Sequence, residues 1–193
     1  MSSEIKSTTV QTNSLKDKTG TRTLASDSGS AWSWGANVPV GTTLQTVGIM
    51  DSDVDTTTDT IPSDDTIPQN NEGKEAFTLD ITPFYANSKL LIHCFVGCIS
   101  NSDNNRRAII SLFKDSDANA IAASYADFQD VGTGEQGLDL THFMTAGSSG
   151  SPITFKVRFG SSGSGTTTLN GSGSSRLMGG VMATGMTITE IKV

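Results

Sequence analysis

The sequence of 193 residues has little charge, few aromatic side chains and few of the residues that carry out chemistry. Charged residues make up 17% of the chain and aromatic residues 6%, and there are two cysteines and two histidines. The formal net charge is -7, and no cluster of lysine and arginine offers the attraction on which phosphate binding depends. We therefore expect no nucleic-acid partner.

Long apolar runs are also missing. The first ten residues, MSSEIKSTTV, lack the apolar centre of a signal peptide, and no segment approaches the roughly 18 apolar residues of a membrane span. We expect a protein made in the cytoplasm without membrane insertion. Cys94 and Cys98 lie in one strand-like run, where a rise of about 3.3 Å per residue separates them by roughly 13 Å. That distance is too long for a disulfide, so reduced core thiols are predicted.

Two motifs resemble ligand sites but lack the required context. GTGEQG, Gly132 to Gly137, matches a dinucleotide pattern, yet the next residues alternate like a strand instead of starting a helix. The segment that begins with Asp51, Asp53 and Asp55 opens like a calcium loop, but it lacks the glycine and glutamate that complete one. For the acidic loop 51–65, a surface calcium site is an alternative to a solvated connection.

Candidate catalytic groups are scarce. His93 and His142 both lie in apolar strand-like runs, and no G-x-S-x-G elbow supplies a nucleophile. A pair of glycosidase carboxylates is defined in space, and the sequence singles out no pair. We predict no catalytic residue, no metal ligand and no cofactor, and hence a protein that is not an enzyme.

The chain from residue 47 onward predicts an all-β, antiparallel β-sandwich. The polar surface comes from serine, threonine, asparagine and glycine, and serine and threonine favour turns and strand faces over helix interiors. EAFTLDIT and ITFKVRF alternate between apolar and polar side chains, which is the pattern of a half-buried strand. About nine such runs occur with no amphipathic helix between them. Asn170-Gly171 predicts a hairpin turn before an exposed serine and glycine loop.

Two predicted strands are apolar on both faces. In KLLIHCFVGCI, Leu90 to Cys98 at even positions share one face, and the odd positions are apolar too; RAIISLF shows the same feature. Such a strand needs a second cover, either another subunit or a long loop of the same chain. The subunit-interface candidates are Leu91, His93, Phe95, Ile110 and Leu112.

Residues 1–46 are too sparsely apolar to form a core of their own. Ordering a chain costs about 1 to 2 kcal/mol per residue, so this arm is predicted to dock on a partner, with disorder as the alternative. The anchor candidates are its apolar residues: Val10, Leu15, Leu24, Trp32, Trp34, Val38 and Val40.

Several segments together resemble a known family. DTIPQNNEG, LDITP followed by NSKL, LFKDSDANAIA, TFKVRFG, SSRLMGG and the closing MTITEI occur in this order. They resemble the C-terminal domain of virion surface proteins of tailed bacteriophages, of the tail-fibre, appendage or head-decoration type. The resemblance spans about residues 47 to 193.

The resemblance implies a trimeric β-sandwich of the jelly-roll type on the particle. We expect a non-enzymatic virion structural protein with two parts, a virion-anchoring arm (1–46) and a sandwich domain (47–193). Its partners are then two further copies of itself, a capsid or tail protein, and host-surface glycan where it recognises a receptor. The alternative functions are a carbohydrate-binding receptor-recognition module and a glycan depolymerase.

Overall fold

The computed structural model describes residues 38–128 and 134–193, together with the backbone of three short strands before them. These strands, β1 (Ser14–Lys16), β2 (Thr23–Asp27) and β3 (Trp32–Trp34), pair in the order β1-β2-β3 as a small antiparallel sheet. The described residues contain strands and one short 3-10 turn, Met178–Gly180, and no α-helix. The all-β prediction is confirmed.

Eight longer strands and four shorter ones follow. The longer strands are β4 (Thr43–Asp51), β6 (Lys74–Ile81), β7 (Lys89–Asn101), β8 (Arg107–Lys114), β9 (Ala122–Asp127), β10 (Glu135–Thr145), β11 (Ile153–Ser161) and β15 (Thr184–Ile191). The shorter strands are β5 (Asp55–Thr57), β12 (Thr167–Leu169), β13 (Gly171–Ser172) and β14 (Ser175–Arg176).

The longer strands form two antiparallel sheets. In sheet I the order is β4-β15-β7-β10, and in sheet II it is β6-β11-β8-β9. Near the end of β7, β12 takes the place of β15 as the neighbour of β7, and β5 pairs with β12. Among the eight longer strands, this order is first-eighth-third-sixth in one sheet and second-seventh-fourth-fifth in the other. It is the order of a jelly roll.

The core lies between the two sheets. Side chains at alternate positions of each strand face inward, as the periodicity of ITFKVRF predicts: Ile153, Phe155, Val157 and Phe159 are all buried. The fully buried residues of sheet I that meet them include Leu90, Ile92, Met186 and Ile188. Each such side chain contributes about 1.5 to 3 kcal/mol when it leaves water.

A bulge changes the faces of β7 near its end. The pairing with β10 shifts between Gln136 and Leu138, opposite Ile99 and Val96, so Ile99 joins the core and Cys98 does not. The even-number pattern predicts that Cys98 shares the face of Cys94, and this prediction is wrong because of the bulge. Its thiol contacts the Gly171 carbonyl at 3.5 Å, under the β13–β14 hairpin. A side chain at Gly97 would collide with the Ala183 carbonyl at 2.7 Å.

The turn of that hairpin differs from the predicted one. Asn170 has a φ of 57°, but the turn between β13 and β14 is made by Gly173 and Ser174, with φ of 54° and 65°. Two successive residues with positive φ are typical of a type I′ turn. Asn170 is buried, and its amide donates to the carbonyls of Asp51 and Asp53. These hydrogen bonds fix Asn170 to the segment 51–53.

The sandwich has two distinct ends. At the end we call proximal, the chain enters β4. There the Gly41 N–H donates to the Lys192 carbonyl, and the Lys192 N–H donates to the Thr42 carbonyl. The loops 82–88, 115–121 and 146–152 lie at this end too, because β6, β8 and β10 finish there. The distal end holds the loops 52–54, 102–106, 162–166 and 173–183. The serine- and glycine-rich loops 162–166 and 173–183 are therefore remote from the point where the N-terminal strands join the sandwich, whereas the similar loop 146–152 lies at the same end as that point.

The expected boundary between residues 46 and 47 falls inside a strand. β4 begins at Thr43, and Leu44 is buried in the sandwich. Val38 is buried as well. The chain joins the sandwich several residues earlier than the alternating pattern indicates, because Gly41 and Thr42 already pair with Lys192.

A buried carboxylate holds the proximal end together. Glu190 has no exposed surface. It accepts hydrogen bonds from the backbone N–H groups of Phe84 and Tyr85 at 3.0 and 3.2 Å, and from the Ser88 hydroxyl at 2.7 Å. Gln45 donates to it at 2.7 Å. Burial, and then the nearby Glu190 charge, raises the pKa of Tyr85. The final strand and the loop 82–88 are thereby fixed to each other.

Replacing Glu190 by alanine should lower the free energy of unfolding by about 3 kcal/mol, because buried donors that lose a charged acceptor are costly. Urea denaturation of the full chain measures the loss. Glu135→Ala, at an exposed glutamate on β10, is the matched control and should change stability by less than about 0.5 kcal/mol. Equal effects from both variants would contradict the proposed role of Glu190.

Candidate functional site

The outer face of sheet II is covered by the chain itself. Residues 58–73 cross this face, and Ile61 in this covering loop has no exposed surface. The loop is held at β11, where Ile61 N–H donates to the Ser161 carbonyl at 2.8 Å. It is held near β9, where Asn70 N–H donates to Ala118 and Ala120 N–H donates to Pro68. The apolar outer residues of β8, Ile109 and Phe113, are buried as a result.

The interface predicted on β8 is therefore wrong. Ile110 and Leu112 face the core between the sheets and are 1% and 0% exposed. The outer side chains of β8 are covered by residues 58–73, so the loop of the same chain, and not another subunit, supplies the second cover. Sequence periodicity could not distinguish these two covers, because both produce an apolar strand.

The outer face of sheet I lacks such a cover among the described residues. Leu91, His93 and Phe95 of β7 lie on this face, opposite the core residues Leu90, Ile92 and Cys94. Leu91 is exposed, and His93 and Phe95 are half-buried. The structure thus places three of the five interface candidates together on an accessible surface.

Register adds further apolar residues to this surface. Phe143 of β10 pairs with Leu91, and Met50 of β4 lies in the same row as Phe95 through Gly185. Phe143 is 56% exposed and Met50 is 72% exposed. We call the surface formed by Met50, Leu91, His93, Phe95 and Phe143 the apolar face. Glycines and threonines fill the positions between these side chains, including Gly48, Gly185, Thr187, Thr189 and Thr141.

The ionisable groups on the apolar face are paired within the chain. His93 Nε2 lies 3.1 Å from Asp139 Oδ1 on the neighbouring strand. Lys89 Nζ donates to the Thr145 hydroxyl at 2.7 Å and lies 6.0 Å from the centre of the Phe143 ring. This pairing lowers the cost of covering these groups, but Asp139, whose side chain is 72% exposed, still loses charge solvation when another surface covers it.

The anchor candidates divide into three groups. Val10 lies outside the described residues, and Leu15, Leu24, Trp32 and Trp34 lie on β1, β2 and β3, whose side chains are not described. Val38 is buried within the chain and so is not free to bind a neighbouring protein. Val40 is 77% exposed at the proximal end.

The acidic segment near Asp51 uses its carboxylates in its own structure. Asp51 accepts the N–H of Asp53 at 2.8 Å, Asp55 pairs with Lys74, and Asp53 lies 3.6 Å from Arg176. Among residues 38–128 and 134–193, no group of three or more histidine, cysteine, aspartate or glutamate side chains is arranged to hold a metal ion.

The dinucleotide-like motif lacks the structure that would give it a function. Gly132 and Thr133 lie outside the described residues, and β10 begins at Glu135. A strand follows the motif where phosphate binding requires a helix N-terminus.

In the described part of the chain, no helix is long and apolar enough to cross a membrane.

Two grooves lie at the edges of the covering loop on sheet II. One, of about 320 Å³, is lined by charges of both signs, and Lys156 and Arg158 each lie 3.8 Å from Glu75. The other, of about 250 Å³, lies between the loop segment 62–68 and β9, with Tyr125 on its wall and Ile109 on its floor. The first groove contains its own ion pairs, and the second contains an exposed aromatic ring.

Comparisons with known proteins identify no family. No family model matches the chain, and no curated protein matches it in sequence. Among solved structures, Eiger TNF from S. frugiperda is 7% identical, with a TM-score of 0.40 over 76% of this chain and 92% of that one. The EclA C-terminal domain, a sugar-binding protein, is 13% identical, with a TM-score of 0.33 over 72% of this chain and 83% of that one.

A viral protein is also similar in part. The infectious bursal disease virus VP2 subviral particle is 12% identical, with a TM-score of 0.34 over 84% of this chain and 40% of that one. These identities and TM-scores carry no argument about function. The jelly-roll assignment depends on the strand order of the two sheets.

Sequence reasoning missed three residues that the structure brings to accessible surfaces. Phe143 and Met50 join the apolar face through strand register, which a single sequence does not contain. Tyr125 stands beside the covering loop, whose path over sheet II is a long-range contact. The alternation along β10 did contain this information. The core residues Leu138 and Leu140 have even numbers, so Phe143, with an odd number, is expected on the opposite face.

The two cysteines are free, buried thiols. Burial raises the pKa of Cys94 to about 12, and burial, followed by the Glu135 charge, raises that of Cys98. The neutral thiol is favoured in the folded chain, whereas unfolding exposes both groups and restores their ordinary acidity. Stability from these groups is complete below the unfolded pKa of about 9 and decreases above it.

We expect the free energy of unfolding to fall above about pH 9, with Cys94 contributing up to about 1.4 kcal/mol per pH unit. Urea denaturation of the wild type and of the Cys94→Ala/Cys98→Ala variant, each from pH 7 to 10.5, measures it. The variant lacks both thiols and should show a shallower decline, although its stability is lower at every pH. Parallel curves would contradict the assignment, since other alkaline groups act equally in both proteins.

Proposed function

We propose that this protein is a non-enzymatic structural protein on the surface of a tailed-bacteriophage virion. It is a homotrimer that attaches to a capsid or tail protein through its N-terminal arm. The observation that carries the proposal is the apolar face of sheet I, where Leu91, Phe95 and Phe143 meet solvent although residues 58–73 bury the outer apolar side chains of β8 on the other sheet. The order of sequence segments that resembles virion proteins supports the location.

The apolar face suits contact with further copies of the same chain. The exposed parts of its large apolar side chains release about 25 cal/mol per Å² of apolar surface when they are buried, and its ionisable groups already have partners in the same chain. The glycines and threonines between the large side chains keep the surface low enough for close approach. Homo-oligomers with closed symmetry are the usual form in which a soluble protein covers such a surface.

The two ends of the sandwich favour cyclic symmetry. If the arms attach the appendage to the particle, every arm must extend from the end of the trimer that faces the particle. In each subunit the arm joins the sandwich at the proximal end. A rotation axis parallel to the strands keeps all proximal ends together, whereas a two-fold axis across the strands would point the arms in opposite directions. A trimer about such an axis also places all distal loops outward, away from the particle.

Replacing Phe143 by aspartate should convert the trimer into monomers, because three buried carboxylates would be unpaired at the subunit contact. Sedimentation equilibrium of the full chain measures the mass. The wild type is expected to sediment as a trimer and Phe143→Asp as a monomer with an unchanged circular dichroism spectrum.

The matched control for this experiment is Ile67→Asp. Ile67 is 55% exposed, almost the same as Phe143, but it lies on the covering loop of the opposite sheet. This variant should remain a trimer. A monomeric wild type would contradict the trimer, and loss of assembly in both variants would show that the apolar face is not the contact.

Removing residues 1–37 should leave a folded trimer that no longer joins virions. The truncation keeps Val38, which is buried, and the whole of β4, so the sandwich retains its contacts. Incorporation is measured by immunoblotting purified particles that were assembled with either form of the protein. Incorporation of the truncated protein at the wild-type level would place the attachment elsewhere, and a change in its sedimentation would separate an assembly defect from an attachment defect.

A further inference from the structure

The groove beside the covering loop combines an aromatic wall with polar groups. We call it the Tyr125 groove: it has a volume of about 250 Å³ and runs between the segment 62–68 and β9. Tyr125 is 55% exposed although it belongs to a paired strand. Ile109, from the neighbouring strand, forms an apolar floor beneath it.

A charged side chain packs against the Tyr125 ring. The guanidinium carbon of Arg107 lies 4.9 Å from the ring centre, and Arg107 is itself fixed by hydrogen bonds to Asp127 at 3.2 Å and to Ser63 at 2.7 Å. Because the guanidinium covers one face of the ring, the exposed area belongs to the other face and the edge. A rigid aromatic face is a stacking platform that loses little conformational entropy on binding.

The opposite wall supplies a fixed acceptor. Asp64 Oδ1 accepts hydrogen bonds from both the hydroxyl and the N–H of Thr66, and Thr66 and Ser63 line the groove beside it. The Thr66 hydroxyl, and then its N–H, lowers the pKa of Asp64, so the group is an anion at neutral pH. Both Thr66 donors bond Asp64 Oδ1, so Asp64 Oδ2 can accept from a ligand.

We propose that the Tyr125 groove binds one neutral hexopyranose ring of a glycan. The apolar C–H face of the sugar would stack on Tyr125, and its hydroxyl groups would donate to Asp64 and exchange hydrogen bonds with Ser63 and Thr66. Glycan binding through this site is independent of the trimer contact, because the groove lies on sheet II and the apolar face lies on sheet I.

The charges of the groove favour a neutral ligand. Arg107 does not line the groove, and its charge is already paired with Asp127 at 3.2 Å, so it attracts an incoming anion only weakly. Asp64 and the net charge of -7 on the chain repel acidic sugars and phosphate. The volume is below the roughly 300 to 1,000 Å³ of sites for drug-sized ligands, which suits a single ring with the rest of the glycan in solvent.

Saturation-transfer difference NMR of the full chain with methyl glycosides of glucose, galactose, mannose and N-acetylglucosamine tests the proposal. At least one glycoside should receive saturation at the C–H protons of one ring face. Tyr125→Ala should weaken its binding by about tenfold or more, since a lost stacking contact of roughly 1.4 kcal/mol has this effect. Asp64→Asn should weaken it too, and Tyr125→Phe should retain it.

Two controls make the result specific to this site. Phe84→Ala removes an aromatic ring that is 52% exposed at the proximal end, and Ile67→Ala alters the covering loop at a residue outside the groove. Both should bind as the wild type does. No saturation of any glycoside, equal binding by Tyr125→Ala, or preferential binding of a proline-rich peptide would overturn the proposal. Sedimentation of the same samples reports separately on the trimer.

Discussion

A β-sheet has two faces, and in this chain both sheets carry apolar side chains on both of them. The inner faces cover each other, which accounts for the core from Phe77 to Ile188. The outer faces have different solutions. On sheet II the chain crosses its own surface with residues 58–73 and buries Ile61, Ile109 and Phe113. Nothing comparable in the described residues crosses sheet I, and this difference determines which surface is available to a partner.

The covering loop also explains where polar groups are concentrated. The backbone N–H and C=O groups of a loop that lies over a sheet need hydrogen-bond partners. In this loop the partners are Ser161 at one end and Ala118 and Ala120 at the other. Arg158 donates to the carbonyls of Glu72 and Gly73 at 2.7 and 2.6 Å. The loop is thus attached at several points, and the grooves at its edges are bounded by fixed walls.

The sequence predicts the elements of this fold better than its surfaces. Alternation in ITFKVRF identifies β11 and its buried face, because local side-chain spacing contains that information. The continuous apolar run of β8 predicts a double-sided burial correctly but not its cover, since residues 58–73 are remote in sequence. The bulge beside Gly97 reverses the faces of Cys98 and Ile99, and a bulge depends on the partner strand. Phe143 gains its significance from strand register, and Tyr125 from the long-range path of the covering loop.

Under the proposed function, the asymmetry between the sheets places assembly and recognition on different surfaces of one small domain. If sheet I contacts further copies, the large side chains of Leu91, Phe95 and Phe143 are used for assembly, and their removal from water supplies the free energy. Sheet II is then the outward wall of every subunit. Its apolar residues are already buried under residues 58–73, so its exposed groups can change without loss of the core. An aromatic ring such as Tyr125 is stable there because Arg107 supports it and the strand pairing fixes its backbone. If both proposals hold, recognition can vary on sheet II while assembly is maintained on sheet I.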